Sequence, residues 1–202
     1  MNFAVLTGDI VDSSALTAAD LDASLDALYS ACMEISRWQP DLTAGFARRG
    51  GDAWQMAISA PALSLRAVLF AQAGLRRRDK NLYTRIAVAI GDGTLPQDGD
   101  TNSAHGPAFT ESGRLLEHLP KHVLMSHASG GAPAATLHLA DHIARGWTQA
   151  QASAMYEILP PGSGPRSKAA EALGITRQAV NQALWSAGYT ALDAALAAWE
   201  AE

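Results

Sequence analysis

The sequence predicts an α+β chain: a sheet domain over residues 1–128 followed by an all-α region over residues 136–202. Three observations carry this. The run Phe3-Ala4-Val5-Leu6-Thr7-Gly8-Asp9-Ile10 is a short apolar stretch that ends in an aspartate and a hydroxyl-rich turn, as a buried strand does. Two runs, residues 44–49 and 54–58, bracket Gly50-Gly51-Asp52-Ala53, and paired glycines supply the positive-φ positions of a hairpin turn. Beyond residues 127–135, where Gly130, Gly131 and Pro133 mark a linker, the composition is helical throughout.

The elements follow in order. Thr17 as N-cap, Asp20 three residues on, and Leu16 with Leu21 as a staple start a helix that should run to Trp38. Leu21, Leu25, Leu28, Cys32 and Ile35 form its apolar stripe, spaced three and four apart to face a sheet. In the second arm of the hairpin, Trp54, Met56 and Ile58 alternate inward. Pro61 suits the first turn of a second helix, which ends in the basic run of residues 76–80, read as a solvated helix terminus favoured by the dipole. Residues 84–90 alternate as a strand, and residues 91–105 form a long polar loop. Gly106-Pro107 opens a third helix to about Glu117, and residues 121–126 form a further strand.

In the tail, residues 136–145 form a helix, and Thr148 with Gln151 make a capping box for the next. The run of residues 160–165, rich in Pro and Gly, stops it. Residues 167–173, a Gly174-Ile175-Thr176 turn and residues 177–187 then give two short helices joined through glycine. That is the helix-turn-helix pattern, whose second helix enters a DNA major groove.

At 202 residues and 48% hydrophobic content the chain has material for a real core. A net charge of −5 argues against a general polyanion binder, so only a locally basic module would hold DNA. The single Cys32 excludes an internal disulfide and a cysteine-rich zinc site, and its neighbours make it a small core residue. The N-terminal run is too short for a membrane span and lacks a basic leader, so no membrane partner and a cytoplasmic location are expected. Six histidines, including His138 and His142 at helical spacing, show no ligand-like clustering.

Strand, helix, hairpin, helix, strand, then a helix and strand more, is the order of a ferredoxin-like βαββαβ(αβ) sheet. The right-handed crossover makes the first two strands parallel, with the third filed between them. The hairpin therefore lies beside the end of the first strand, and Asp9 meets Asp52 across 43 positions of sequence. Either aspartate alone is what a turn selects. Two carboxylates brought together repel unless a cation separates them, and oxygen ligands with open positions suit Mg²⁺ or Mn²⁺ carrying a triphosphate.

Four segments carry a resemblance. Gly8-Asp9-Ile10-Val11, then Arg49-Gly50-Gly51-Asp52-Ala53-Trp54, then Arg85-Ile86-Ala87-Val88-Ala89-Ile90-Gly91, and Gly106 through Leu115 resemble in order and spacing the class III nucleotidyl cyclase domain. With Trp147-Thr148-Gln149-Ala150-Gln151 and the run from Leu173 to Val180, the whole chain looks like the SatD family, which joins a cyclase-like domain to a helix-turn-helix. The resemblance implies a nucleotide-cyclase-type fold with Asp9, Asp52 and the Ile10 carbonyl on metal. It puts Val11, Asp12, Ser13 and Ser14 in the phosphate turn, Arg48 near the purine base, Arg114 on the transition state, and Thr110 where cyclases carry an asparagine. The sequence departs from that pattern at Asp12, where a glycine is usual, at Thr110, and in lacking a late lysine, because Lys121 lies too near Arg114.

The leading expectation is a regulator: a cyclase-like domain that binds a metal and purine nucleotide, or only dimerises, and a tail that binds DNA. Arg177, Gln178, Asn181 and Gln182 open its recognition helix with side chains suited to guanine and adenine edges. A homodimer serves both halves, since such sites form across a two-fold and operators are often palindromic. The alternatives are an active metal-dependent nucleotidyl cyclase and a protein-interaction module without ligand chemistry.

Overall fold

The computed structural model describes residues 1–201. Its strands and helices run β1 (Asn2–Ile10), α1 (Ala18–Ile35), β2 (Ala44–Arg48), β3 (Ala53–Ile58), α2 (Ser64–Arg76), β4 (Thr84–Asp92), α3 (Pro107–His118) and β5 (Met125–His127). The tail follows as α4 (Gly131–Arg145), α5 (Gln149–Ile158), α6 (Arg166–Leu173), α7 (Arg177–Ser186) and α8 (Tyr189–Glu200).

The sheet order is β2-β3-β1-β4-β5. β3 runs antiparallel to both β1 and β2, so β1 and β2 are parallel with β3 between them, as the crossover argument requires. β4 is antiparallel to β1 on its other side, and β5 adds parallel to β4. β1 is thus paired along both edges, and because helices cover the sheet on each side it is apolar on both faces rather than alternating.

The two faces are covered differently. Leu6, Ile10, Trp54, Met56, Ile58, Ile86 and Val88 point to α1 and α2, where Leu25, Leu28, Cys32 and Ile35 meet them with no more than 2% exposure. Burial of Cys32 pushes its thiol up to about 12, which leaves it unreactive. Phe3, Val5 and Ala57 face the other way, onto Ala108 and Phe109 of α3.

Several expectations need correction. The strand expected over residues 121–126 is only Met125–His127, because Pro120 to Val123 closes a turn (Val123 N–H to Pro120 O, 2.8 Å) before the chain reaches β4. The linker shrinks because Gly130 and Gly131, at φ 67° and 56°, make a single turn that starts α4 five residues earlier than periodicity suggested. The basic run at the end of α2 is solvated except at Arg76. That side chain is 3% exposed, donates from Nε to the Trp147 carbonyl at 3.1 Å, and lies 4.4 Å over the Tyr83 ring.

Arg76 is one of several anchors that hold the helical region on the sheet domain. Arg77 stacks 3.6 Å over Tyr156 and Arg66 forks onto Glu200 (2.6 and 3.1 Å), while inside the helical region Trp147, 1% exposed, bonds the Ala187 carbonyl. A single apolar cluster runs from Leu6 through Phe70 and Trp147 to Leu192 and Leu196, so the core is continuous between sheet and tail. Among the described residues no helix is long and apolar enough to cross a membrane.

Candidate metal and phosphate site

The site is built at the end of β1, where strand register fixes the partners. Asp9 stands opposite Ala53 on β3 and opposite Arg85 on β4, and the Ile10 amide donates to the Asp52 carbonyl at 3.3 Å. Asp9 and Asp52 therefore converge as the topology requires. The hairpin presents Asp52 because Gly50 and Gly51 take φ of 87° and 55°, closed by Ala53 N–H to Gly50 O at 3.1 Å.

Gly8 is there to let the strand pass. A Cβ on it would sit 2.3 Å from the Arg85 carbonyl and 2.5 Å from the Trp54 ring. Trp54 is fully buried and donates to Thr84 Oγ1 at 2.8 Å, and Thr84 Oγ1 donates to the Asp9 carbonyl at 2.7 Å. This relay fixes the backbone that carries Asp9.

The cleft above them encloses about 320 Å³ and gathers residues 9–14 with Asp52, Arg85 and Lys121. Arg85 grips Asp9 with two parallel bonds, Nε to Oδ1 at 2.8 Å and Nη2 to Oδ2, and reaches the Leu119 carbonyl from Nη1 at 3.4 Å. The Asp9 hydrogen bond, then the charges of Asp9 and Asp52, raise the Arg85 pKa against the opposing effect of burial. Ser13 Oγ donates to Asp52 Oδ2.

Asp12 has φ 53° and ψ 32°, the only positive φ outside glycine among the described residues. The turn needs the left-handed region here, which aspartate tolerates better than most residues. The fit is conformational, while the charge it brings still faces the cleft. Val11 does not offer its amide to a ligand, since it donates to the Tyr83 carbonyl at 3.0 Å. Ser13 and Ser14 open a one-turn 3₁₀ helix, where first-turn amides lack intrahelical partners.

Other expected site residues lie elsewhere. Arg48 turns from the cleft to pair with Asp22 of α1 at 2.9 Å. Thr110 and Arg114 are exposed one turn apart on α3, and Arg114 borders a separate hollow with Glu111 and His118. One chain does not bring them to Asp9. On α7, Thr176 caps the helix by accepting from the Ala179 amide at 3.1 Å, and Arg177, Gln178 and Gln182 are exposed. Asn181 is half-buried and accepts from Arg166 Nη1 at 2.9 Å.

Sequence reasoning missed two residues of this cleft and one exposed residue of α7. Arg85 lies in a recognised motif but had no role, although the antiparallel register of β1 and β4 puts it opposite Asp9. Spacing puts Lys121 too near Arg114 to serve as the late lysine, yet the turn after α3 carries it back to the cleft. Trp185, 75% exposed, continues the face of Gln178, Asn181 and Gln182 at helical spacing, a signal that was readable.

The donor set fits a hard cation incompletely held by protein. Asp9 and Asp52 offer carboxylate oxygens, and no group of three His, Cys, Asp or Glu able to hold a metal occurs among the described residues. Such a pair suits an ion that keeps water and takes phosphate oxygens for its remaining positions.

No protein-family model and no curated protein matches the chain, so the SatD resemblance finds no matching family model. Solved structures similar to it include a bacterial light-regulated adenylyl cyclase, at 17% identity and TM-score 0.43 over 62% of this chain and 74% of that one. An adenylate/guanylate cyclase/hydrolase from Silicibacter pomeroyi is similar at 19% identity and TM-score 0.43, over 58% and 69%. The adenylyl cyclase CyaB from P. aeruginosa is similar at 14% and 0.39, over 58% and 71%. With TM-scores below 0.5, these likenesses set no expectation about activity.

Proposed function

We propose that the cleft at the end of β1 binds Mg²⁺ or Mn²⁺ with the triphosphate of a purine nucleotide, and that a homodimer completes a nucleotidyl cyclase site. One observation carries the reading: a single cleft collects three carboxylates, Asp9, Asp12 and Asp52, with a serine turn and two cationic side chains, Arg85 and Lys121. Asp9 and Asp52 would hold the metal, which when bound neutralises phosphate charge. Ser13, Ser14, Arg85 and Lys121 would orient the phosphates. In the reaction the ribose 3′-oxygen bonds the α-phosphorus, the bond to the β-phosphate oxygen breaks, pyrophosphate leaves and the hydroxyl proton passes to solvent. Arg114 and Thr110 cannot assist from the same chain, so a second copy would supply them across a two-fold.

The test is turnover of ATP or GTP with Mn²⁺, followed as pyrophosphate release. Asp52→Asn and Arg114→Ala are each expected to be inactive alone. Mixed, they are expected to recover about a quarter of the wild-type rate, the share of intact sites in a statistically mixed two-fold dimer. No turnover alongside metal–triphosphate binding would sink the enzyme reading and leave a nucleotide-binding module.

A second reading concerns the tail. α6 and α7 are two short helices joined through Gly174 at φ 65°, with Arg177, Gln178 and Gln182 exposed at the start of the second, as a helix-turn-helix would require. This supports DNA binding by α7. Duplex retention is expected to fall with rising salt and to be lost in Arg177→Ala with Asn181→Ala; retention that ignores both changes counts against it.

A further inference from the structure

We propose that Arg85 is an internal competitor of the metal: it holds Asp9 in the metal-free chain and must release it before Asp9 can ligate. The inference rests on the reading that the cleft takes a divalent cation. Its basis is the cross-strand placement of Asp9 and Arg85 and the fork of two bonds that engages both Asp9 oxygens at once. The two side chains are only 20% and 24% exposed, so water does little to weaken the pair. A cation approaching this cleft thus meets Asp9 already neutralised by Arg85 and Asp52 bonded by Ser13.

Competition of this kind has a defined consequence. Apparent affinity falls by the fraction of time Asp9 is free, so a pair closed about nine-tenths of the time weakens metal binding about tenfold. Linkage makes the effect reciprocal: an anion that draws Arg85 away from Asp9 tightens the cation, and the cation tightens the anion by the same factor. Lys121, the other cation of the cleft, adds to the attraction for that anion. The site therefore favours a cation and a phosphate-bearing anion together over the bare cation.

The experiment measures Mn²⁺ binding to the full chain by electron paramagnetic resonance of the free ion. Arg85→Gln is expected to bind Mn²⁺ about tenfold more tightly than the unaltered chain. Sulfate, a weak chelator, is expected to tighten Mn²⁺ binding in the unaltered chain and not in Arg85→Gln. An equal or weaker Mn²⁺ affinity in Arg85→Gln overturns competition and makes Arg85 a positioning residue for Asp9. Should that variant not fold, the Arg85 Nε–H resonance of the unaltered chain decides. It is expected to shift when Mg²⁺ is added, and a resonance unmoved at saturating Mg²⁺ overturns the inference. If the unaltered chain fails to bind Mn²⁺ even with inorganic tripolyphosphate, the metal reading itself fails, and the competitor with it.

Discussion

Gly8→Ala is expected to lower stability by about 3 kcal/mol, the upper part of the range for overpacking a closed interior. The added methyl meets the Arg85 carbonyl at 2.3 Å and the Trp54 ring at 2.5 and 2.6 Å, and neither can retreat. The carbonyl belongs to β4, which is paired to β1 along nine positions. Trp54 is fixed by its bond to Thr84 and by a stacked contact with Phe46 at 6.2 Å. Urea denaturation is the measurement: the midpoint should fall with the slope unchanged. Gly113→Ala is the control. It lies in α3 with open space around it, and alanine there should stabilise by up to about 1 kcal/mol. A Gly8→Ala midpoint equal to the unaltered chain would show that the end of β1 is soft.

What could be read in advance was whatever depends on order and period. The Gly50-Gly51 turn, the Thr17 and Thr148 caps and the parallel relation of β1 and β2 are local or topological facts, and each stands in the structure. The convergence of Asp9 and Asp52 follows from them. What escaped was set by tertiary contact. Nothing in the run of basic residues at the end of α2 distinguishes Arg76, which is buried where the Tyr83 ring and the Trp147 carbonyl, 71 positions away, close over it. Lys121 looked wrong by spacing because spacing along the chain does not report the turn that returns it to the cleft. Arg85 could have been placed, since β1 and β4 were both expected and their register decides its partner. The position of Arg114 is a different case. The chain sets it on α3, beside a hollow separate from the cleft of Asp9 and Asp52, and the proposed two-fold is what would bring it there.

Asp9→Asn and Asp52→Asn are expected to agree on binding and to differ on stability. Under the proposed function each removes a metal ligand, so each should weaken Mn²⁺–triphosphate binding about a hundredfold or more, the upper end of what losing even an outer-shell partner costs. Their stabilities part because their partners differ. Asn at position 9 leaves the Arg85 guanidinium without its counter-charge in a partly buried place, a loss of about 1–2 kcal/mol once screening by the remaining exposure is allowed for. Asn at position 52 can still accept the Ser13 hydroxyl through its amide oxygen, and it removes one of three carboxylates crowded at the cleft. Its midpoint in urea should match or exceed that of the unaltered chain. Calorimetric titration and denaturation on the same two proteins separate the ideas. Asp52→Asn that keeps full metal affinity would dissolve the shared site, and equal destabilisation by both changes would mean that Asp52, like Asp9, carries a structural charge.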